Sequence, residues 1–157
     1  YEISACLVGS EMCIRDRMWP GGMTACAAKV GEILPDVDLL KIAREETALF
    51  GGEDALPALM ERYGLTLVVE TLGSGGARGY FRGREIRVSG RPARCADTTG
   101  AGDAFFAGTV IGLTYGKTLA ESCEIGSRLA ASVICITEYV CPRFRPQEFG
   151  LDVPVVD

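Results

Sequence analysis

The sequence contains no histidine among its 157 residues. This absence excludes a Ser-His-Asp triad, a Cys-His nucleophile pair and zinc sites that use imidazole ligands. Of the groups that remain, a carboxylate is the one most suited to act as a general base near neutral pH. Aspartate and glutamate are therefore the candidate general bases of this chain.

The sequence also lacks long apolar runs and clusters of basic residues. No stretch approaches the roughly 18 apolar residues that a membrane-spanning helix needs. The formal net charge is −5, and an acidic chain without a basic run is not expected to bind nucleic acid as its main partner. We therefore expect neither a membrane nor a nucleic acid to be a partner.

Cysteines never occur in the CxxC spacing of zinc or redox motifs. Beyond residue 17 they stand scattered along the chain, at Cys26, Cys95, Cys123, Cys135 and Cys141. Scattered cysteines in an odd number are typical of reduced thiols, so the sequence predicts a cytoplasmic protein.

The first 17 residues, YEISACLVGSEMCIRDR, differ in character from the rest. They lack the basic start, the apolar run and the cleavage site of a signal peptide. Residues 7–16 resemble the in-frame translation of a transposase sequencing adapter. We interpret residues 1–17 as a non-native, disordered leader, the alternative being a genuine amphipathic N-terminus. Residues 18–157 are long enough for one modest domain, and the sequence shows no further boundary among them.

Helical and strand patterns alternate beyond the leader, which predicts the α/β class. The predicted helices are 23–34, 44–50, 53–63, 100–113 and 118–137, and the predicted strands are 37–41 and 65–70, followed by a hairpin of 78–82 and 85–88. Residues 65–70 are apolar on both faces, as in a sheet covered by helices. The tail from Cys141 is expected to wrap the surface.

The segment DTTGAGDAFFAG, residues 97–108, carries the clearest chemical signal. Glycines at a helix N-terminus let backbone N–H groups approach an anion, and the helix dipole adds partial positive charge there. This cradle suits a phosphoryl group, and Asp103 beside it could take the proton of an attacking hydroxyl. For the bare GAGD motif, a structural role in starting the helix remains open.

The whole twelve-residue segment resembles the C-terminal signature of ribokinase-like (PfkB) carbohydrate kinases. Residues 38–46 and 67–76 resemble two further family segments in the expected order, and the resemblance covers essentially all of residues 18–157. It implies the C-terminal part of a ribokinase-like three-layer αβα sandwich with a mostly parallel sheet. It also implies that the N-terminal, sugar-binding half of the kinase is missing from this chain.

The resemblance implies a role for each matching position. Asp103 matches the catalytic base, and the anion hole matches Gly100, Ala101 and Gly102. The ATP-binding positions are Thr71, Gly73, Ser74 and Gly76, together with Gly102. Asp97 and Thr99 occupy positions that bind a monovalent cation in potassium-activated members, and the sequence leaves open whether this protein uses K⁺.

Glu46 resembles the acidic residue of an Asn-x-x-Glu motif that is linked to Mg²⁺ and phosphate. The Asn position is Ala43 here, a departure that puts direct help from that side chain in doubt. The alternative for Glu46 is a solvated residue on a helix face.

The function implied is ATP-dependent phosphorylation of a small sugar, with ATP and Mg²⁺ as cofactor and metal. Fructose and 2-keto-3-deoxygluconate are the favoured substrates, and the fragment is expected to be inactive alone. Two alternatives stay open: a free-standing nucleotide-binding or regulatory half-domain without catalysis, and a nucleoside or phosphosugar kinase of the same family. The intact parent is expected to be a homodimer.

Overall fold

The structure, a computed structural model, describes residues 6–8, 20–94, 96–135 and 145–151. The chain divides into two units, residues 1–87 and residues 88–157. Among the described residues, no helix is both long and apolar enough to cross a bilayer.

The sheet is mixed, with five strands that lie in the order in which they occur along the chain. They are β1 (Cys6–Val8), β2 (Leu39–Ala43), β3 (Leu67–Thr71), β4 (Ala77–Phe81) and β5 (Arg84–Val88). β1 pairs with β2, and β2 with β3, in parallel, whereas β3 and β4 are antiparallel. Helical crossovers allow parallel pairing, and a short turn forces the antiparallel kind. The α/β class is confirmed.

Helical segments cover one face of this sheet. They are α1 (Gly22–Ile33) and α2 (Leu56–Tyr63), with 3₁₀ turns at Leu34–Asp36, Arg44–Phe50 and Glu53–Ala55. α2 ends where Gly64 adopts a left-handed backbone conformation with φ 71°. The shared core is formed by Leu34, Val37, Leu40, Ile42, Leu56, Leu59, Leu65 and Val68.

The second unit is built on a close helical pair, α3 (Ala101–Thr114) and α4 (Leu119–Val133). A Cβ added to Gly108 would lie 2.8 Å from the Cα of Gly126. One added to Gly112 would lie 2.8 Å from the Cα of Ser122. These backbones approach closely because glycine occupies the contact positions. Phe105 and Phe106 of α3 are buried, as expected for core residues.

Element boundaries differ from the predicted ones where backbone geometry decides them. The hairpin turns at Arg82 and Gly83, one residue earlier than predicted, with φ 49° and 72°. Two-residue hairpin turns of this kind need positive φ at both positions. The predicted helix 118–137 ends at Val133, and residues 136–137 lie outside the described residues.

The described part of the tail does not lie wholly on the surface. A 3₁₀ turn spans Pro146–Phe149, and Leu151 is buried against Ile125 and Leu129 of α4. The remainder of the predicted surface tail, 141–144 and 152–157, lies outside the described residues.

A strand inside residues 1–17 differs from the expectation of a disordered leader. Cys6–Val8 pair in parallel with Leu39–Lys41. An unpaired strand edge accepts any short apolar segment in extended conformation, whatever its origin. The pairing therefore corrects the expected disorder at residues 6–8, while the adapter origin stays a prediction.

Candidate functional site

The N-terminus of α3 carries the predicted anion hole. Gly100 precedes the helix with φ 79°, a left-handed conformation that favours glycine. The N–H of Ala101 donates to the carbonyl of Thr98 at 3.1 Å, and no described side chain caps the helix. Because the first-turn N–H groups of a helix lack intrahelical partners, Gly102 and Asp103 offer theirs to an anion. Gly102 of the predicted anion hole thus lies in the first turn, beside the N–H of Asp103, and the set Gly100, Ala101 and Gly102 stays a prediction.

Asp103 lies in the first turn of α3 and is exposed. Its carboxylate forms no hydrogen bond or ion pair with the described residues. An exposed carboxylate beside uncapped N–H groups has the chemistry of a general base next to an anion site.

Asp97 and Thr99 form a local turn just before this helix. The carboxylate Oδ1 of Asp97 accepts hydrogen bonds from the N–H and the Oγ1 of Thr99, both at 2.8 Å. Such a turn fixes the path of the chain into Gly100. This contact explains the pair structurally, and the monovalent-cation role stays a prediction.

Two predicted site segments meet at one edge of the sheet. Ala43 at the end of β2 is in register with Thr71 at the end of β3. Because β2 and β3 are parallel, the segments that follow them leave the sheet at the same edge, where ligands bind in α/β folds. Glu46 follows β2, and the turn from Thr71 to Gly76 follows β3. The structure thus brings the predicted magnesium-linked residue and the predicted ATP loop to a common edge.

The turn between β3 and β4 is closed by backbone hydrogen bonds. The N–H of Leu72 donates to the carbonyl of Gly76 at 2.8 Å, and the N–H of Gly76 donates to the carbonyl of Gly73 at 3.1 Å. Gly73 and Gly76 have φ of 57° and 95°, which favours glycine at both. Gly73, Ser74 and Gly75 are exposed, so a ligand can reach this backbone.

Glu46 is only 4% exposed, which corrects the alternative of a solvated helix face. Its Oε2 accepts a hydrogen bond from the N–H of Ala43 at 2.7 Å. The backbone at position 43 therefore holds the carboxylate, although the side chain that the family motif expects is missing. The other oxygen, Oε1, is buried and has no hydrogen-bond partner among the described residues. A buried carboxylate oxygen without a donor fits a role near a cation.

A buried ion pair beside the turn was missed by the sequence analysis. The Nε of Arg78 lies 2.7 Å, and its Nη2 2.5 Å, from Oε2 of Glu70. Burial lowers the pKa of Arg78, but the hydrogen bond and the charge of Glu70 outweigh it and raise the pKa above its usual value. The signal that could have found the pair is the charged Glu70 inside the apolar run of β3.

A second glutamate, Glu53, forms ion pairs with both Arg78 and Arg44. Oε2 of Glu53 lies 3.3 Å from Nη2 of Arg78, and Oε1 of Glu53 lies 2.6 Å from Nε of Arg44. Arg44 opens the 3₁₀ turn that also contains Glu46. A chain of alternating charges thus joins the strands beside the turn to the segment of Glu46.

Comparisons with known proteins show the family to which the chain is related. The model of the pfkB family of carbohydrate kinases matches residues 3–138. The inositol 3-kinase of Oryza sativa subsp. japonica is 33% identical over 121 residues, which cover 77% of this chain and 28% of that protein. The fructokinase of Klebsiella pneumoniae is 35% identical over 106 residues, covering 64% of this chain and 34% of that protein.

A solved structure gives the same result. The fructokinase of Vibrio cholerae O395, in its form bound to fructose, ADP and calcium ion, superposes with a TM-score of 0.69 at 26% identity. The match covers 80% of this chain and 43% of that one. The chain spans about a third of the length of the two curated relatives named above. Its sequence and fold place it plainly: this chain belongs to the pfkB family of carbohydrate kinases.

Proposed function

We propose that this chain is the ATP-binding, phosphoryl-transfer part of a kinase that phosphorylates a hydroxyl group of a small sugar or polyol. The observation that carries the proposal is the N-terminus of α3, where the uncapped N–H groups of Gly102 and Asp103 adjoin the exposed carboxylate of Asp103. Membership of a carbohydrate kinase family supports it.

In the proposed reaction, Asp103 takes the proton of the acceptor hydroxyl as its oxygen attacks the γ-phosphorus of ATP. The new O–P bond forms as the bond to the leaving ADP oxygen breaks. The N–H groups of Gly102 and Asp103 stabilise charge on the transferred group, helped by the helix dipole. Backbone donors are fixed before the reaction, so they need little reorganisation during it.

The nucleotide is proposed to bind at the turn from Thr71 to Gly76. The exposed glycine backbone of this turn allows close approach of the phosphates, and Ser74 adds a hydroxyl. Glu46 would hold Mg²⁺ on the side of its unpartnered Oε1, and the ion would neutralise phosphate charge. The Vibrio cholerae fructokinase, bound to ADP and calcium ion, supports a nucleotide with a divalent cation. A K⁺ site near Asp97 and Thr99 remains part of the proposal.

The acceptor is proposed to be fructose or a polyol of similar size. Fructokinases from Klebsiella pneumoniae and Escherichia coli are 35% identical, and plant inositol 3-kinases from rice and maize are 33% and 32% identical. 2-Keto-3-deoxygluconate stays a second prediction. We further propose a cytoplasmic, homodimeric parent, and no turnover by this chain alone.

The first test asks whether the chain binds nucleotide and whether a longer parent phosphorylates sugar. Genomic DNA upstream of codon 18 is recovered, the extended chain is expressed, and ATP-dependent phosphorylation of fructose and inositol is measured. We expect Asp103→Asn to lower kcat by about 10²–10⁴-fold with little change in nucleotide Kd. The matched control is Asp36→Asn, an exposed carboxylate far along the sequence, which should leave kcat unchanged. If Asp103→Asn retains kcat within a few-fold of wild type, Asp103 is not the base.

A further inference from the structure

Glu70 and Arg78 face each other one register before the last pair that joins β3 and β4. Glu70 is in register with Arg78, and the next pair, Thr71 and Ala77, opens the turn itself. The side chain of Glu70 is fully buried, and that of Arg78 is 10% exposed. A charged pair therefore spans β3 and β4 one residue away from the segment proposed to bind nucleotide.

Stability alone does not account for a charged pair at this place. Neighbouring positions of β3 carry Val68 and Val69, both fully buried. Replacing a buried ion pair with apolar residues is often neutral or stabilising, because two charges no longer have to leave water. The cost of removing the Glu70 carboxylate from water is larger still, since its Oε1 is buried without a hydrogen-bond partner among the described residues.

The ion pair supplies a directional contact between β3 and β4, which apolar side chains cannot supply. Two nitrogens of the planar Arg78 guanidinium converge on one oxygen of Glu70, so the pair has a narrow choice of geometry. Apolar contacts between strands lack this directional constraint, so small changes in local twist would pass into the turn. Glu53 extends this restraint to Arg44, two residues before Glu46.

We propose that Glu70 and Arg78 are positioning residues for the nucleotide turn, and that Glu53 couples them to the segment of Glu46. The inference rests on the proposed function, because it deepens the role of the same turn. The pair acts on the nucleotide only through the backbone of residues 72–76. Its loss therefore loosens the turn even where the fold is kept.

The test uses the full chain and a variant that removes both charges at once. In the double variant Glu70→Leu/Arg78→Met, neither partner is left buried and unpaired, so the fold is retained, with Tm within about 5 °C of wild type. Glu85→Gln is the matched control, because it removes the exposed Glu85–Arg87 pair of the neighbouring strand. Hydrogen exchange of the Leu72 and Gly76 amides and the Kd for ADP with Mg²⁺ are measured for each.

We expect the double variant to exchange the Leu72 and Gly76 amides about tenfold faster and to bind ADP about tenfold more weakly. The control should match wild type in both. Glu53→Gln should leave the Leu72 amide unchanged and speed exchange of the Ala43 amide, which is bonded to Glu46. A double variant with normal exchange and normal Kd would show the pair to be only structural, and would overturn the proposal.

Failure of the proposed function gives a different result. If the wild-type chain does not bind ADP, the nucleotide role of the turn is wrong, whatever the variants do. Amide exchange then decides by itself whether Glu70 and Arg78 hold the turn: faster exchange in the double variant supports the positioning role, and unchanged exchange overturns it.

Discussion

The two segments proposed to handle ATP are held in place by opposite means. At the sheet edge of the first unit, charged side chains surround the turn, through Glu70, Arg78 and Glu53. In the second unit, α3 is held by contacts in which side chains are nearly absent, at Gly108, Gly112 and Gly126. One arrangement relies on the direction of hydrogen bonds, and the other on the absence of a Cβ.

The two segments should therefore lose stability under different kinds of substitution. An ion pair is sensitive to the geometry and charge of its partners and tolerates changes in volume nearby. A glycine contact is insensitive to charge, but one added methyl group forces backbones apart. Within the same helical pair, burial raises the pKa of the Cys123 thiol to about 12, although its hydrogen bond with Thr109 acts in the opposite direction.

The largest effect is expected from Gly126→Ala. The new Cβ would clash with the carbonyl oxygen of Phe105 and lie 2.6 Å from Oγ1 of Thr109. Overpacking against backbone costs about 3 kcal/mol, whereas alanine gains only about 1 kcal/mol in helix propensity. We expect a net loss of about 2 kcal/mol in the free energy of unfolding, measured by denaturant titration.

The control for this substitution is Gly116→Ala in the turn between α3 and α4. No atom lies within 4 Å of the added Cβ there, but φ is +73°, so the expected cost is about 1 kcal/mol from backbone strain. If Gly126→Ala instead gains the roughly 1 kcal/mol of helix propensity, the helices adjust without cost, and the proposed steric hold on α3 is wrong.

A smaller effect is expected from Arg78→Lys, which tests whether charge or geometry holds the sheet edge. Lysine keeps the positive charge but cannot place two nitrogens on Glu70 in a fixed fork. With a hydrogen bond to a buried carboxylate lost, the free energy of unfolding should fall by about 1.5 kcal/mol. Thermal unfolding at two salt concentrations measures the loss, which should depend little on salt because the pair is buried.

Arg87→Lys is the matched control on β5. The side chain of Arg87 is 69% exposed, and its pair with Glu85 is surrounded by water. Exposed pairs contribute little, so this variant should unfold like wild type. If Arg78→Lys also unfolds like wild type, a positive charge alone is sufficient, and the contrast between the two units is weaker than we infer.

The features that could be predicted from sequence are those set by neighbouring residues. The start of α3 lies within one residue of its predicted position because Gly100 and the residues after it specify a helix N-terminus locally. The end of α2 was likewise marked by Gly64, which adopts positive φ, whereas the turn at Gly73–Gly76 was predicted from the family resemblance. Local backbone chemistry was enough for the two helix ends.

The features that escaped prediction depend on which strands become neighbours. The pairing of Glu70 with Arg78 requires the register of β3 and β4, and the burial of Glu46 requires the packing around β2. The close contact of Gly108 with Gly126 requires two helices to meet at one face. None of these is a property of a short stretch of sequence.

The smallest effect is expected at the N-terminus of α4, where neither volume nor burial is involved. Oε2 of Glu121 accepts hydrogen bonds from Oγ1 and from the N–H of Thr118, at 2.6 and 2.8 Å. The side-chain hydrogen bond first, and then the backbone one, lower the pKa of Glu121. Thr118→Ala should change the unfolding equilibrium constant only a few-fold at pH 7, measured by denaturant titration.

The lowered pKa of Glu121 determines how the stability difference between wild type and Thr118→Ala changes with pH. A carboxylate whose pKa is lowered by folding stabilises the fold above its unfolded pKa, and that stabilisation is lost as the pH falls through the lowered, folded pKa. The difference between wild type and Thr118→Ala should therefore shrink as the pH is lowered through that range. Thr118→Ser, which keeps the hydroxyl, should follow wild type throughout. A difference that stays constant with pH would mean that the Thr118 cap stabilises α4 without the charge of Glu121.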